Sequence, residues 1–171
     1  MYWANDMMKK IVGWISQLIK NDGEKVIKMR ITKIDDTISV GGQITADHVR
    51  HLSEAGFKGI ICNRPDNEDF IMTGFAEIEK AAEEAGMGIR YVPISHGQLS
   101  MGDIEDYAAA RAEIEGPHFG YCQAGVRAAT IWGLGEAKTG GDVNEILNKA
   151  ANAGFRLDHM SGVLNQLAAS A

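Results

Sequence analysis

A cysteine and an arginine stand close together on one short stretch of the chain, Cys122-Gln123-Ala124-Gly125-Val126-Arg127. The strand-like run 117–121 precedes Cys122, and an apolar stretch with helical character follows Arg127. A strand, a tight loop and a helix N-terminus favour anion binding, because loop N–H groups and the helix dipole both present partial positive charge. Such surroundings favour the reactive thiolate, and an arginine offers a planar fork of donors to an oxyanion. We therefore predict that Cys122 is a nucleophile, that Arg127 binds the anionic group, and that the four residues between them line the substrate site.

Three buried-strand patterns, at residues 59–62, 89–94 and 117–121, alternate with helical segments of about a dozen residues. This alternation predicts an α/β fold with a mostly parallel sheet flanked by helices. In such sheets, ligands bind beyond the carboxyl ends of the strands. We therefore expect the residues that follow the first two strands to lie near Cys122 and Arg127 in space. They are Arg64, Asp66 and His96.

The other elements follow from sequence periodicity and turn residues. Residues 30–34 and 37–40 alternate with period two around Asp35-Asp36, which predicts a small hairpin. Helices are predicted at residues 46–55, 74–85, 127–138, 143–153 and 159–169, most of them ended by glycine. A further helix is predicted to start at Ser100 or Asp103 and to run to about residue 115.

The N-terminal unit, residues 1–22, is predicted to be an amphipathic helix. Residues 2–20 place apolar side chains over about half of a helical circumference, and Asn21-Asp22-Gly23 would end the helix. One interpretation is that it packs on its own domain or on a second copy, as in a homodimer. The other is contact with a membrane surface, with Trp3 and Trp14 in the interface and lysines near lipid phosphates.

The composition limits the classes of function. The 171 residues suffice for one domain with a proper core, and the net charge of -6 argues against a nucleic-acid partner. Two cysteines are too few for a disulfide scaffold. No secretory signal and no run of roughly 20 apolar residues is found, so we expect a cytoplasmic protein, peripheral at the membrane if the N-terminal helix binds lipid. The histidines and carboxylates lack metal-ligand spacing, and we predict no metal and no cofactor.

Five separate stretches carry a resemblance to a known family. They are 40–44, with Gly41-Gly42-Gln43; 55–58; 62–66, with Cys62-Asn63-Arg64-Pro65-Asp66; 91–94; and the Cys122 loop. In this order and spacing, the chain from about residue 30 to 168 resembles the phosphatase-like domain of beta-lactamase hydrolase-like proteins. The resemblance implies the fold of dual-specificity phosphatases over a catalytic domain of residues 30–171. It also implies that Gln43 lies near the active loop, and that the activity is either Cys-dependent phosphatase or sulfurtransferase.

Loop length favours sulfur transfer over phosphate chemistry. The phosphatases of this fold place five residues between the cysteine and the arginine, whereas this chain has four, as the rhodanese loop does. A shorter loop encloses a smaller anion and loses one inward N–H group. Sulfur transfer also needs no acid for the leaving group, because a thiolate of low pKa or sulfite departs unaided. We therefore predict a sulfurtransferase that moves sulfane sulfur through a Cys122 persulfide, with thiosulfate or a small persulfide as donor.

Two alternatives remain open. A phosphatase would form a Cys122 phosphoenzyme on a phosphoester and would use His96 or Asp103 as the general acid. A low-activity anion-binding or sensing domain is the other, because Ala124 and Ala128 replace hydroxyl residues that we would expect beside the loop.

Two further residues have a functional and a structural interpretation. Cys62 is either a resolving thiol for Cys122 or a small buried residue, and the second is favoured. Arg64 either adds a second positive charge for the donor or pairs with Asp66 or Glu68.

Overall fold

The computed structural model describes residues 29–171. Five strands form one sheet: β1 (Ile31–Lys33), β2 (Ile38–Gly41), β3 (Gly59–Cys62), β4 (Gly88–Tyr91) and β5 (His118–Tyr121). Their order across the sheet is β1-β2-β5-β3-β4. Only the β1–β2 pair is antiparallel, and β5 lies between β2 and β3 with parallel pairing on both sides. The predicted α/β class, hairpin and mostly parallel sheet are confirmed.

Six α-helices cover the two faces of the sheet in the described part of the chain. They are α1 (Ala46–Glu54), α2 (Phe75–Glu84), α3 (Met101–Glu113), α4 (Val126–Lys138), α5 (Val143–Asn152) and α6 (Ser161–Ala169), with a 3₁₀ turn at Asp158–Met160 before the last. Helices α1 and α2 pack on one face, and α3 to α6 pack on the other. None of the described helices is both long and apolar enough to cross a membrane. The predicted N-terminal helix lies outside the described residues.

Alternation along the strands divides the core between the two faces. Ile60 contributes to the cluster under α1 and α2, and Ile61 contributes to the cluster under α3 to α6. This follows from the period of two in a strand, which turns successive side chains to opposite faces. Both residues are fully buried, as expected for a central parallel strand covered on both sides.

One strand is shorter than the sequence predicted. The apolar run 89–94 suggested a strand to Ile94, whereas β4 ends at Tyr91. The chain nevertheless stays attached to the neighbouring segment, because Val92 N–H donates to the Cys62 carbonyl at 2.9 Å and Ile94 N–H donates to the Asn63 carbonyl at 3.3 Å. These bonds fix the start of the loop that follows β4.

Helix α4 is the most buried helix of the described chain. Trp132 and Leu134 are fully buried, and two glycines, Gly133 and Gly135, let neighbouring elements approach closely. A Cβ atom at Gly135 would lie 2.9 Å from the Tyr107 ring on α3. Because Tyr107 is itself buried, the ring has little room to move. Close approach of α3 to α4 therefore depends on the absence of a side chain at position 135.

We expect Gly135→Ala to destabilise the protein by about 1–3 kcal/mol, the usual cost of overpacking a core. Alanine has the higher helix propensity, so propensity alone predicts the opposite sign. The matched control is Gly162→Ala on the exposed side of α6, where a Cβ atom meets nothing within 4 Å. That change is expected to stabilise the protein by about 0.5–1 kcal/mol. Urea denaturation of both variants measures the difference, and equal effects would contradict the tight α3–α4 contact.

Candidate active site

Cys122 lies at the carboxyl end of β5, with its side chain almost fully buried. Its N–H donates to the Gly41 carbonyl at 3.3 Å, which extends the pairing of β5 with β2 by one residue. The N–H of Gly125 donates to Cys122 Sγ at 3.1 Å. This N–H donor faces the sulfur of the predicted nucleophile.

Gly125 closes the cysteine loop and begins α4. Its φ of +92° lies in the left-handed region, where a side chain is strained. A Cβ atom there would also lie 3.4 Å from the Gly41 carbonyl oxygen. Glycine is thus required by the backbone conformation, whereas the approach of the loop to the end of β2 is an ordinary van der Waals contact.

The segment after β2 runs beside the cysteine loop. Gly42 forms an antiparallel bridge with Ala124, and Gln43 N–H donates to the Gln123 carbonyl at 3.4 Å. The side chains of Gln123, Ala124 and Val126 are exposed. Of the four loop residues predicted to line the site, these three face solvent, and Gly125 is the one whose N–H turns to the sulfur.

Glu68 holds the guanidinium of Arg127. Arg127 Nη1 donates to Glu68 Oε1 and Nη2 donates to Glu68 Oε2, both at 2.7 Å, which is a bidentate pair. Arg127 Nη1 also donates to the Ile94 carbonyl at 2.6 Å. The arginine of the cysteine loop is therefore fixed by the loop after β3 and by the segment after β4.

Arg64 holds the other side of the same carboxylate. Its Nε donates to Glu68 Oε2 at 2.9 Å, and its Nη1 donates to Gln43 Oε1 at 2.9 Å. Arg64 is only 3 % exposed, so its contacts are with the protein interior. Gln43 is fixed in turn, because its Nε2 donates to the carbonyls of Ile44 and Thr73. Arg64 thus fixes the Glu68 carboxylate, and Gln43 in turn fixes Arg64.

The charged groups of this cluster shift one another's pKa values towards their ionised forms. Hydrogen bonding from Arg127, ahead of the contribution of Arg64, lowers the pKa of Glu68 below its usual value. Burial by itself would lower the pKa of Arg127, but Glu68 and Cys122 outweigh it and the pKa is raised. Glu68 therefore stays ionised at neutral pH and is unsuited to act as a general acid.

The candidate acids differ in their placement. His96, on the loop after β4, is mostly exposed, and its Nε2 lies 3.7 Å from Glu68 Oε1. Asp103 is engaged in the N-terminal cap of α3, where its Oδ2 accepts from Ser100 N–H and Oγ, both at 2.7 Å. Asp66 accepts from Phe75 N–H at 2.8 Å at the start of α2. Of the three, His96 alone is left with its side chain free of a capping role.

Cys62 lies on β3, beside β5, and points into the core. Its Sγ donates to the Arg64 carbonyl at 3.3 Å, and burial raises the pKa of its thiol. It packs in the same apolar cluster as Tyr121. These surroundings suit a small buried residue, and its part as a resolving thiol stays a prediction.

The structure brings Cys122, Arg127, Arg64, Gln43 and His96 to one edge of the sheet. The sequence reasoning missed the role of Glu68, which was considered only as a partner for Arg64. The sequence did contain a signal for this role, because the acidic Glu68 lies on a loop at the same edge of the sheet as Arg64 and Arg127. The described residues contain no group of three or more histidine, cysteine or carboxylate side chains placed to hold a metal ion.

Comparisons with known proteins identify relatives of this chain. The chain is 37 % identical over 112 residues to a beta-lactamase hydrolase-like protein of Agrobacterium fabrum. The aligned residues make up 66 % of this chain and 26 % of that protein. The chain thus spans about a quarter of the length of the curated relatives it matches.

Solved structures share the fold. A candidate phosphatase of Neisseria meningitidis superposes with a TM-score of 0.68 at 31 % identity, over 80 % of this chain and 97 % of that one. PTPMT1 in complex with PI(5)P superposes with a TM-score of 0.63 at 14 % identity, over 82 % of this chain and 97 % of that one. At this lower identity the likeness shows the fold alone. Residues 30–139 match the family described as "Beta-lactamase hydrolase-like protein, phosphatase-like domain", and the chain belongs to that family.

Proposed function

We propose that this protein is a Cys-dependent phosphatase that hydrolyses phosphomonoesters through a Cys122 phosphoenzyme. The observation that carries the proposal is the cysteine loop itself, with the Gly125 N–H on Sγ and the Arg127 guanidinium anchored beside it. The phosphatase-like family and the solved relative from Neisseria meningitidis support it. The comparisons favour this alternative over the sulfur transfer that loop length suggested.

The reaction would proceed in two displacements. The Cys122 thiolate attacks phosphorus, the P–S bond forms, and the P–O bond to the leaving alcohol breaks. Loop N–H groups and Arg127 stabilise the charge on the non-bridging oxygens. Water then attacks phosphorus, breaks the P–S bond and releases inorganic phosphate and the thiolate.

Arg127 keeps donors for the substrate despite its pairing. A guanidinium has five N–H groups, and three of them bind Glu68 and the Ile94 carbonyl. The remaining two, one on Nη2 and one on Nε, bind no oxygen of the described chain, and a hydrogen bond between the guanidinium and Cys122 contributes to the raised pKa of Arg127. Glu68 therefore acts as a positioning residue that fixes the plane of the guanidinium and leaves part of it for the anion.

His96 is the proposed general acid for the leaving oxygen. Its exposed loop lies after β4, and its distance of 3.7 Å from Glu68 Oε1 places it beside the arginine cluster. The protonated imidazole is the form that would donate a proton to the leaving oxygen.

Sulfur transfer remains the second candidate, and one observation favours it. Only four residues separate Cys122 from Arg127, so the loop encloses a smaller volume than the five-residue phosphatase loop. In this reaction Cys122 would attack the outer sulfur of thiosulfate, release sulfite and pass the sulfur from its persulfide to a thiol.

The two candidates are separated by assaying release of phosphate from an aryl phosphate and formation of thiocyanate from thiosulfate and cyanide. We expect phosphate release that Cys122→Ser abolishes and Arg127→Lys lowers about 10²–10³-fold, because lysine cannot reproduce the planar fork. Cys62→Ala is the matched control and should retain activity. Thiocyanate formation without phosphate release would replace the phosphatase proposal with the sulfurtransferase.

The acid role of His96 predicts a dependence on the leaving group. His96→Ala should lower kcat/KM for an alkyl phosphate by about 10²-fold and leave a nitrophenyl phosphate nearly unaffected, because nitrophenolate departs without a proton. His159→Ala changes an exposed histidine far along the chain and should alter neither substrate. An equal loss with both substrates would show that His96 does not donate the proton.

Glu68→Gln tests the arginine cluster through stability and its pH dependence. Removing the shared charge leaves two arginines poorly paired, and we expect a loss of about 3 kcal/mol at pH 7. Since the pKa of Glu68 is lowered in the folded state, its contribution is complete above the ordinary value of about 4.3 and disappears as pH falls through the folded pKa. The gap between wild type and variant should therefore close in acid.

The control for this prediction is Asp69→Asn, the neighbouring carboxylate, which lies 4.0 Å from Arg64 Nη2 and is 45 % exposed. An exposed pair of this kind is expected to contribute less than about 1 kcal/mol. Urea midpoints from pH 3 to 7 measure both variants. A constant gap for Glu68→Gln across this range would contradict the electrostatic origin of its effect.

A further inference from the structure

Exposed apolar side chains concentrate at the edge of the sheet that carries Cys122. Six large apolar side chains are exposed among residues 29–171. Five of them lie at this edge, on a loop, in first helical turns or at the end of β4, and the sixth is Val163 in the first turn of α6. Phe70 and Ile71 are almost completely exposed, on the same loop as Glu68. We name these five the apolar rim: Phe70, Ile71, Tyr91, Met101 and Val126.

The charges beside the apolar rim are mainly acidic. Exposed carboxylates lie next to Phe70, in the first turn of α2 and in the second turn of α3, at Asp69, Glu77, Glu105 and Asp106. The two arginines of this edge are buried or nearly so and are committed to Glu68. A partner that fits this surface therefore combines apolar side chains with positive charge. An anionic lipid surface fits it poorly, since the exposed carboxylates would be repelled.

The described chain begins at the same edge. Strand β1 is antiparallel to β2, so its first residue, Ile31, pairs with Gly41 at the carboxyl end of β2. Gly41 in turn accepts the N–H of Cys122. The residues before β1 therefore join the sheet on the side where the cysteine loop lies.

The preceding segment has the required chemistry. Residues 2–20 contain ten apolar side chains of the predicted amphipathic pattern, together with Lys9, Lys10 and Lys20 against a single acid, Asp6. The eight residues 21–28 span at most roughly 26–29 Å. The loop after β3 lies three strand spacings from β1, or roughly 14 Å, and is within that reach.

We propose that residues 2–20 of this chain bind the apolar rim of the same molecule, next to the mouth of the Cys122 loop. The apolar side chains of the segment would cover Phe70 and Ile71, and its lysines would face the surrounding carboxylates. The proposal concerns a surface outside the reacting atoms and does not depend on which reaction Cys122 performs.

The test is photo-crosslinking of the full-length protein without substrate. Phe70→p-benzoylphenylalanine is irradiated, and the crosslinked peptides are identified by mass spectrometry. We expect crosslinks to residues 2–20 within a species of monomer mass. Lys58→p-benzoylphenylalanine is the matched control, an exposed position just before β3 at the opposite edge of the sheet, and should give no crosslink to that segment.

A second variant tests the charge argument. Lys9→Glu combined with Lys10→Glu should lower the yield of the Phe70 crosslink about threefold, because the segment then loses its positive charge. Crosslinks found only in a covalent dimer would overturn the proposal in favour of a second copy. Absence of the crosslink, with binding of the protein to vesicles of phosphatidylglycerol and phosphatidylcholine, would overturn it in favour of a membrane surface. Both readouts are independent of turnover, so they leave the proposed phosphatase activity untouched.

Discussion

The Glu68 carboxylate is the shared acceptor on which the site depends. It binds the guanidinium of Arg127 from one side and that of Arg64 from the other. Through Arg127 it also ties the cysteine loop to the Ile94 carbonyl after β4. Three loops that are far apart in sequence are thereby fixed to one another by a partly buried cluster of charges. A carboxylate that lost either partner would leave a poorly solvated charge, so the three loops are expected to hold or loosen together.

The sheet supplies the frame for this cluster. Because β2, β5, β3 and β4 are parallel, their carboxyl ends meet at one edge, and the loops that follow them converge there. Cys122 stands at the end of the central strand β5, between the segment that carries Gly41 and the one that carries Arg64. At this position the Gly125 N–H donates to the sulfur, and Arg127 lies nearby. The described chain contains no set of metal ligands.

The cysteine loop suits both of the proposed reactions, and the fold alone does not distinguish between them. Family membership and solved relatives support hydrolysis of a phosphomonoester, whereas the four-residue spacer between Cys122 and Arg127 suits a smaller group. The two reactions differ in the size of the group that the cysteine loop must enclose, and in whether the leaving group needs a proton from an acid. His96 is the proposed acid and lies 3.7 Å from Glu68, whereas the Asp103 carboxylate caps α3. Leaving-group dependence is therefore the property that distinguishes the two chemistries.

The sequence by itself determined the α/β class, the hairpin and the placement of Cys122 and Arg127 between the last strand and the helix after it, because periodicity, turn residues and short motifs are local signals. Only the tertiary structure decided that Glu68 joins Arg127 to Arg64 and that α3 begins after Ser100 rather than at Asp103. It also decided that β4 ends at Tyr91. Pairings of side chains across 59 positions of sequence, as between Glu68 and Arg127, leave no periodic trace. They arise when strand order brings separate loops to one place and burial makes the pairing of charges obligatory.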